Sequence, residues 1–328
     1  MTPFFLRRFA PLALCALGML GAANALAQAF PSRNIELVVA YAPGGTGDVV
    51  ARLLAVKLSA ALGQSVLVEN RSGASGAIGA QSVVKAKPDG HTLLAGQTAE
   101  IAINQSLVKG LAYDPDKDLM PVALAAVVPL ALVVPGNAPY STVKEMIQFA
   151  RSRPQGLSFA SAGTGTPGHF AGELLKRRTQ SNLIHVSYKG AGPALNDILG
   201  GHIDFYFSGY PAAAPHIKSG KLKVLALSSA KRSSAAPGVP PVAEAADIKG
   251  FDFTLWVGIF APRGTPRDVV LRLNSEINKA LSQPELRDRL AGEGAEVATL
   301  SVEQVTEFVN TESDKYRQII KETGIKSE

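Results

Sequence analysis

The chain is poor in the groups that usually announce a chemistry. Its 328 residues include one cysteine, Cys15, and one tryptophan, Trp256. Cys15 falls in a stretch that reads as an export signal. Arg7 and Arg8 are basic, Phe9 to Leu20 is apolar, and Ala25-Leu26-Ala27 is a small-x-small cleavage site. Leu14 is not the small residue that a lipoprotein cleavage needs before its cysteine. Residues 28–328 then contain no thiol, so disulfides and a cysteine nucleophile are excluded. The core must hold the fold alone, which this length permits. The apolar run of the signal is too short for a membrane anchor, and no later stretch is long enough to span a bilayer.

Charge of one sign is also scarce. Beyond Ala27 there are 31 basic and 27 acidic residues, a net +4. No Lys/Arg block with interleaved aromatics occurs, so nucleic acid is not an expected partner. There is no G-x-x-x-x-G-K-[ST] loop, no G-x-S-x-G elbow and no H-E-x-x-H pair. Histidines 91, 169, 185, 202 and 216 are scattered, and His202 with Asp204 is too small a set for zinc. No metal and no cofactor is expected.

Glycine and β-branched residues are plentiful, and they recur in order. Ile35 to Ala40 is a strand pattern. It runs into Tyr41-Ala42-Pro43-Gly44-Gly45-Thr46-Gly47-Asp48, and a helix period follows in Val50, Leu54, Leu58 and Ala61, stopped at Gly63. Thr46 reads as the N-cap, with Asp48 in the first turn. A strand feeding a glycine loop and a bare helix N-terminus makes an anion site, because free N–H groups point outward. Similar units follow around Thr92–Gly96, Leu157–Ala160, Ile184–Tyr188 and Ile203–Phe207. Pro129 divides Val122–Val134 into two strands, Pro167 and Pro193 open helices, and Ser301 to Gln304 is a capping box. The alternation implies a mainly parallel α/β fold, in which ligands bind beyond the carboxyl ends of the strands. The loops after Ala40, Gly96, Ala160, Tyr188 and Phe207 should therefore converge.

Gly163-x-Gly165-x-x-Gly168 matches a dinucleotide fingerprint, but Pro167 interrupts it and no acid follows near His185 to Gly190. What remains is a set of anion cradles without a reacting group. Ser161, Thr164 and Thr166 offer hydroxyls to a ligand. His169 can donate to it or pack. Lys189 reads as a solvated loop charge, Trp256 as a core or hinge residue, and Asp48 with Arg52 as a surface ion pair.

The ordered series Pro43 to Asp48 with Arg52, Glu69-Asn70-Arg71, Lys87 to Gly90, Tyr113-Asp114-Pro115, Phe159 to Gly163, Tyr188 to Ala194 and Trp256 to Pro262 resembles the Bug family. These are periplasmic solute-binding receptors of tripartite tricarboxylate transporters. The resemblance spans the chain beyond the signal. It implies a two-domain, type 2-like Venus flytrap joined by two crossing segments. Residues 28–128 with 251–328 would form one domain and 129–250 the other, with the C-terminal helices returning to the first. It also implies a small organic acid as ligand, membrane transporter subunits as partners, a periplasmic monomer, and binding without catalysis. The alternatives are a ligand sensor for a two-component system and an exported enzyme acting on small acids.

The matching binding elements are Tyr41, Pro43, Gly44, Gly45 and Thr46 in the first loop, then Gln97, Thr98 and Glu100 after the third strand. On the second domain they are Ser161, Gly163, Thr164, Gly165 and Thr166 with His169, then Lys189, Gly190, Ala191 and Gly192, and Ser208. Two positions depart from the family. Glu100 stands where a small hydroxyl residue is usual, and Ser208 where many members have aspartate. An acid facing the cleft at Glu100 would repel a second carboxylate. That favours a monocarboxylate, a nitrogen-bearing acid or a hydroxy acid over citrate.

Overall fold

The computed structural model describes residues 30–326 apart from 234, 235 and 293, so the signal expected over residues 1–27 lies outside the described residues. Among the described residues, nine strands carry the fold: β1 (Ile35–Val39), β2 (Val66–Asn70), β3 (Thr92–Gln97), β4 (Leu119–Pro135), β5 (Leu157–Ser161), β6 (Leu183–Ser187), β7 (Phe205–Gly209), β8 (Leu222–Leu227) and β9 (Thr254–Pro262). They form two sheets that share one strand. The first runs β2-β1-β3-β9-β4. The second runs β8-β4-β7-β5-β6. β1 pairs in parallel with β2 and β3, and β5 with β6 and β7, as the βα alternation requires. The remaining pairs, β3 with β9, β9 with β4, and β4 with β7 and β8, are antiparallel.

β4 is where the structure departs most from the sequence pattern. Pro129 does not break the strand. It pairs with Thr254 at the last step of the β9 ladder, and at Leu130 the ladder to β7 begins. A residue without an N–H fits the point where hydrogen bonding changes partner. One strand thus passes from the first lobe into the second, and the chain returns through the segment leading into β9.

Each sheet is covered on both faces. In the first lobe, the helix Thr46–Leu62 buries Val50, Leu54, Leu58 and Leu62 against β1, together with the helices Arg267–Ser282 and Pro284–Gly292. The opposite face holds Val38, Leu94, Trp256 and Phe260. In the second lobe, the helices Val143–Ser152 and Pro167–Thr179 pack a phenylalanine-rich cluster, with Ala191–Leu199 on the other side. The last helix, Val302–Thr323, does not return to the first lobe alone. Val305 and Val309 join the Trp256 cluster, while Tyr316 sits on Phe170 of the second lobe.

Several helix starts differ from expectation. Gly45, extended at φ −81° and ψ 168°, is the cap of the first helix, and Thr46 is its first residue. Ala191 begins the helix assigned to Pro193, which stands in the first turn where its missing N–H is still harmless. Pro167 does open its helix, and Ser301 with Gln304 forms the capping box. Among the described residues, no helix is long and apolar enough to cross a membrane.

Candidate functional site

The expected loops do converge. The two lobes close on a cavity of about 30 Å³. The first lobe contributes Tyr41, Gly45, Thr46, Gly47, Asp48, Gln97, Thr98 and Ala99. The second contributes Ala162, Thr166, Pro167, Gly168, Ala191, Tyr206, Phe207 and Gly209, and the connecting strands add Leu130 and Leu255. The helices Thr46–Leu62, Pro167–Thr179, Ala191–Leu199 and Tyr210–Lys218 all begin at this cavity. Their first-turn N–H groups have no intrahelical acceptor, and their dipoles favour negative charge. Among the described lining residues none is lysine or arginine. The Thr46 hydroxyl is buried there and has no hydrogen-bond partner in the protein. A buried hydroxyl left in that state costs stability unless something else satisfies it.

Asp48 is more than a surface ion pair. It is 5% exposed, accepts from the Gly44 N–H at 3.0 Å and from Asn70 Nδ2 at 3.0 Å, and is bridged by Arg52 at 2.9 Å. Burial works to raise its carboxyl, but Arg52, the Gly44 N–H and Asn70 outweigh that and hold it below its ordinary value. It sets the shape of the first glycine loop.

Of the residues singled out from the sequence, Tyr41, Gly45, Thr46, Gln97, Thr98, Thr166 and Ala191 line the cavity. The others stand around it. Pro43, Gly44, Lys189, Gly190 and Gly192 form the contact between the lobes. The Ala42 N–H donates to the Lys189 carbonyl at 3.2 Å, and the Lys189 side chain points to solvent. A Cβ on Gly192 would lie 2.3 Å from the Pro43 oxygen, and one on Gly209 would lie 2.1 Å from Thr46 Oγ1. Only glycine lets the two backbones approach this closely.

The hydroxyls of the second-lobe loop are mostly spent on the loop itself. Ser161 Oγ donates to the Gly163 carbonyl at 2.9 Å and lies 2.7 Å from His185 Nε2. Thr166 Oγ1 donates to Gly163 at 2.7 Å, and Thr164 bonds Ser187. Gly165 donates its N–H to His169 Nδ1 at 3.1 Å. His169 stacks on His185 with ring centroids 4.1 Å apart. Burial, followed by nearby positive charge, pushes His169 down to about 4 and His185 down to about 3. Two neutral imidazoles therefore brace the loop from behind, and His169 does not reach the cavity. Ser208 is buried and donates to the Gly209 carbonyl.

Glu100 does not face the cleft, and this removes the repulsion argument drawn from it. The segment after β3 turns helical at Ala99 instead of looping, which rotates Glu100 inward. It is fully buried. Its Oε1 accepts from the Gln97 N–H at 2.7 Å, and its Oε2 lies 2.9 Å from Tyr41 Oη. Burial pushes its carboxyl up to about 8, against the lowering effect of those contacts. Trp256 is buried on the first lobe, with Nε1 donating to Glu312. The contributions of Leu130, Tyr206, Phe207 and Leu255 were missed, because a strand residue facing a cleft looks like any core residue. Among the described residues, no group of three or more His, Cys, Asp or Glu could hold a metal.

The family model for tripartite tricarboxylate transporter family receptors, TctC, matches residues 50–325. The chain belongs to the TctC receptor family. Similar proteins include the UPF0065 protein of the tcbD-tcbE intergenic region of Pseudomonas sp. strain P51, 39% identical over 90% of this chain and 87% of that one. BugT of Bordetella pertussis is 36% identical over 93% of this chain and 94% of that one. Among solved structures, R. palustris Rpa4515 with adipate is 35% identical, with a TM-score of 0.87 over 90% of this chain and 99% of that one. MatC from Rhodopseudomonas palustris with bound malate is 34% identical, with a TM-score of 0.83 over 89% of this chain and 100% of that one. The two-lobed fold with two crossing segments is thus the periplasmic binding protein fold of TctC receptors.

Proposed function

We propose that this receptor captures a small organic acid between its lobes and hands it to a membrane transporter, without turning it over. The observation that carries this reading is the cavity itself. Helix N-termini from both lobes open on it, cations are absent from its described lining, and the Thr46 hydroxyl waits there unpartnered. A carboxylate would gain roughly 1.5–3 kcal/mol from each charge-assisted hydrogen bond. Contacts from both lobes favour the closed state over the open one. The adipate and malate seen in two similar structures support an acid of this kind.

In this reading Tyr41, Gly45, Thr46, Gln97, Thr98, Thr166 and Ala191 touch the ligand. The remaining glycine-loop residues shape the lobe contact. The lobes divide at residues 128/129 and 250/251, and residues 1–27 direct export to the periplasm, where the receptor acts as a monomer. The test is denaturing mass spectrometry of the purified protein, followed by a thermal-shift panel of organic acids. A specific acid at 100 times its Kd adds about 2.7 kcal/mol of stability. A panel of mono-, di- and hydroxy acids that moves nothing overturns the reading.

A further inference from the structure

We propose that Ser75 is a clasp between the lobes and that Glu100, acting through Tyr41, holds the clasp in position. Ser75 belongs to the first lobe, in the 3-10 turn Ala74–Gly76 ahead of the helix Ala77–Val84. Its hydroxyl donates across the cleft to the Thr164 carbonyl at 2.6 Å. It does so from a left-handed backbone, φ 49° and ψ 46°, and Ala74 beside it is also left-handed at φ 46°. Such a conformation is costly for residues with a Cβ and persists only where neighbours impose it.

Two donors impose it through the Ser75 carbonyl. Asn104 Nδ2 donates to it at 3.0 Å, and Tyr41 Oη at 3.2 Å. Tyr41 has one phenolic proton and two oxygen neighbours, Ser75 O and Glu100 Oε2. With the Glu100 carboxyl protonated, its O–H donates to Tyr41, and Tyr41 is free to donate to Ser75. With Glu100 ionised, the carboxylate takes the Tyr41 proton, and Ser75 keeps only Asn104. Glu100 also accepts the Gln97 N–H, which fixes which of its oxygens faces Tyr41. The titratable groups that face this unit are phenols. Tyr41 and Tyr113 face Glu100, and Tyr206 lies beyond Tyr41. Tyr113 donates to the Glu100 backbone carbonyl. Burial keeps all three phenols above their ordinary value, so none titrates before Glu100.

The clasp rests on the two-lobed receptor reading and is tested with spin labels. The chain from residue 28 on has no cysteine, so Leu67→Cys and Ile184→Cys place one label on the outermost strand of each sheet. Both sites are exposed, at 54% and 50%. Pulsed distance measurements on the dialysed protein then read the ratio of closed to open forms. Ser75→Ala is expected to lower that ratio about 2- to 10-fold at neutral pH. In the parent the ratio falls as pH rises through about 8. Glu100→Gln offers an amide N–H to Tyr41 and a carbonyl to Gln97. It should keep the neutral-pH ratio and abolish the fall, which a merely structural role for Glu100 does not predict. An unchanged ratio in Ser75→Ala, or a pH-dependent fall that survives in Glu100→Gln, overturns the clasp and leaves the receptor reading standing. One invariant distance in every variant overturns the clasp alone, and the acid panel decides the receptor reading separately.

Discussion

Gly192 of one lobe and Pro43 of the other meet backbone to backbone, so close that any β-carbon at 192 would strike the proline carbonyl. Gly192→Ala should therefore leave each lobe folded and obstruct their closure. The expected outcome is a loss of at least about tenfold in affinity for the acid identified by mass spectrometry. Circular dichroism and the melting temperature without ligand should stay at parental values. A binding curve unchanged by the alanine would mean that closure does not use this contact.

Thr46 and Thr166 both line the cavity, but only Thr166 has its hydroxyl bonded within the protein. The two should respond oppositely to replacement by valine, which keeps the shape. Thr46→Val should weaken ligand binding by roughly 2- to 10-fold and leave the free protein as stable or more so. Thr166→Val should cost the free protein about 1 kcal/mol. Paired melting and calorimetric titration separate the two cases.

Asp48 ties Gly44, Asn70 and Arg52 together, so Asp48→Ala should loosen the first loop. We expect a loss of roughly 2–3 kcal/mol, set by the hydrogen bonds to its charge. Its carboxyl titrates lower in the folded protein than in the unfolded chain. The contribution is then fully present above the ordinary aspartate range and disappears as pH falls through the folded value. Urea unfolding of parent and variant should differ at pH 7 and converge in strong acid.

Glu100 has the opposite sign. Its folded value is raised from 4.5 to about 8, so between those two values the folded protein holds a proton that the unfolded chain releases. Stability should fall by up to about 1.4 kcal/mol per pH unit across that window. Glu100→Gln removes this slope. The variant should melt close to the parent near pH 5 and above it at pH 8. Parallel melting curves at both values would show that Glu100 is ionised throughout.

Much of this arrangement was legible in advance. The βα alternation and the glycine loops at strand ends required an α/β fold whose strand-end loops converge, as they do on the cavity, and the ordered motifs gave the two lobes. The errors have physical causes. Pro129 looked like a break because a missing N–H usually ends a strand, and only the change of ladder partner at Leu130 makes it welcome. Glu100 looked like a cleft residue because four small or polar residues after a strand suggest a loop, whereas the turn at Ala99 is helical. Ser161 and Thr166 looked free because sequence cannot show that Gly163 consumes their hydrogens. Ser75 carried no signal, since its partner Thr164 is 89 residues away.

The shared strand β4 has a consequence for how such a molecule can be handled. Neither lobe is a separable part, because each sheet includes one end of the same ribbon. Cutting or splicing the chain at the crossing would leave two half-sheets with raw edges, open to pairing with other chains. Any opening of the lobes would have to pass through that continuous strand and its companion β9. A graft that exchanges ligand specificity between relatives should take its seams from the loops at the strand ends and leave that ribbon whole.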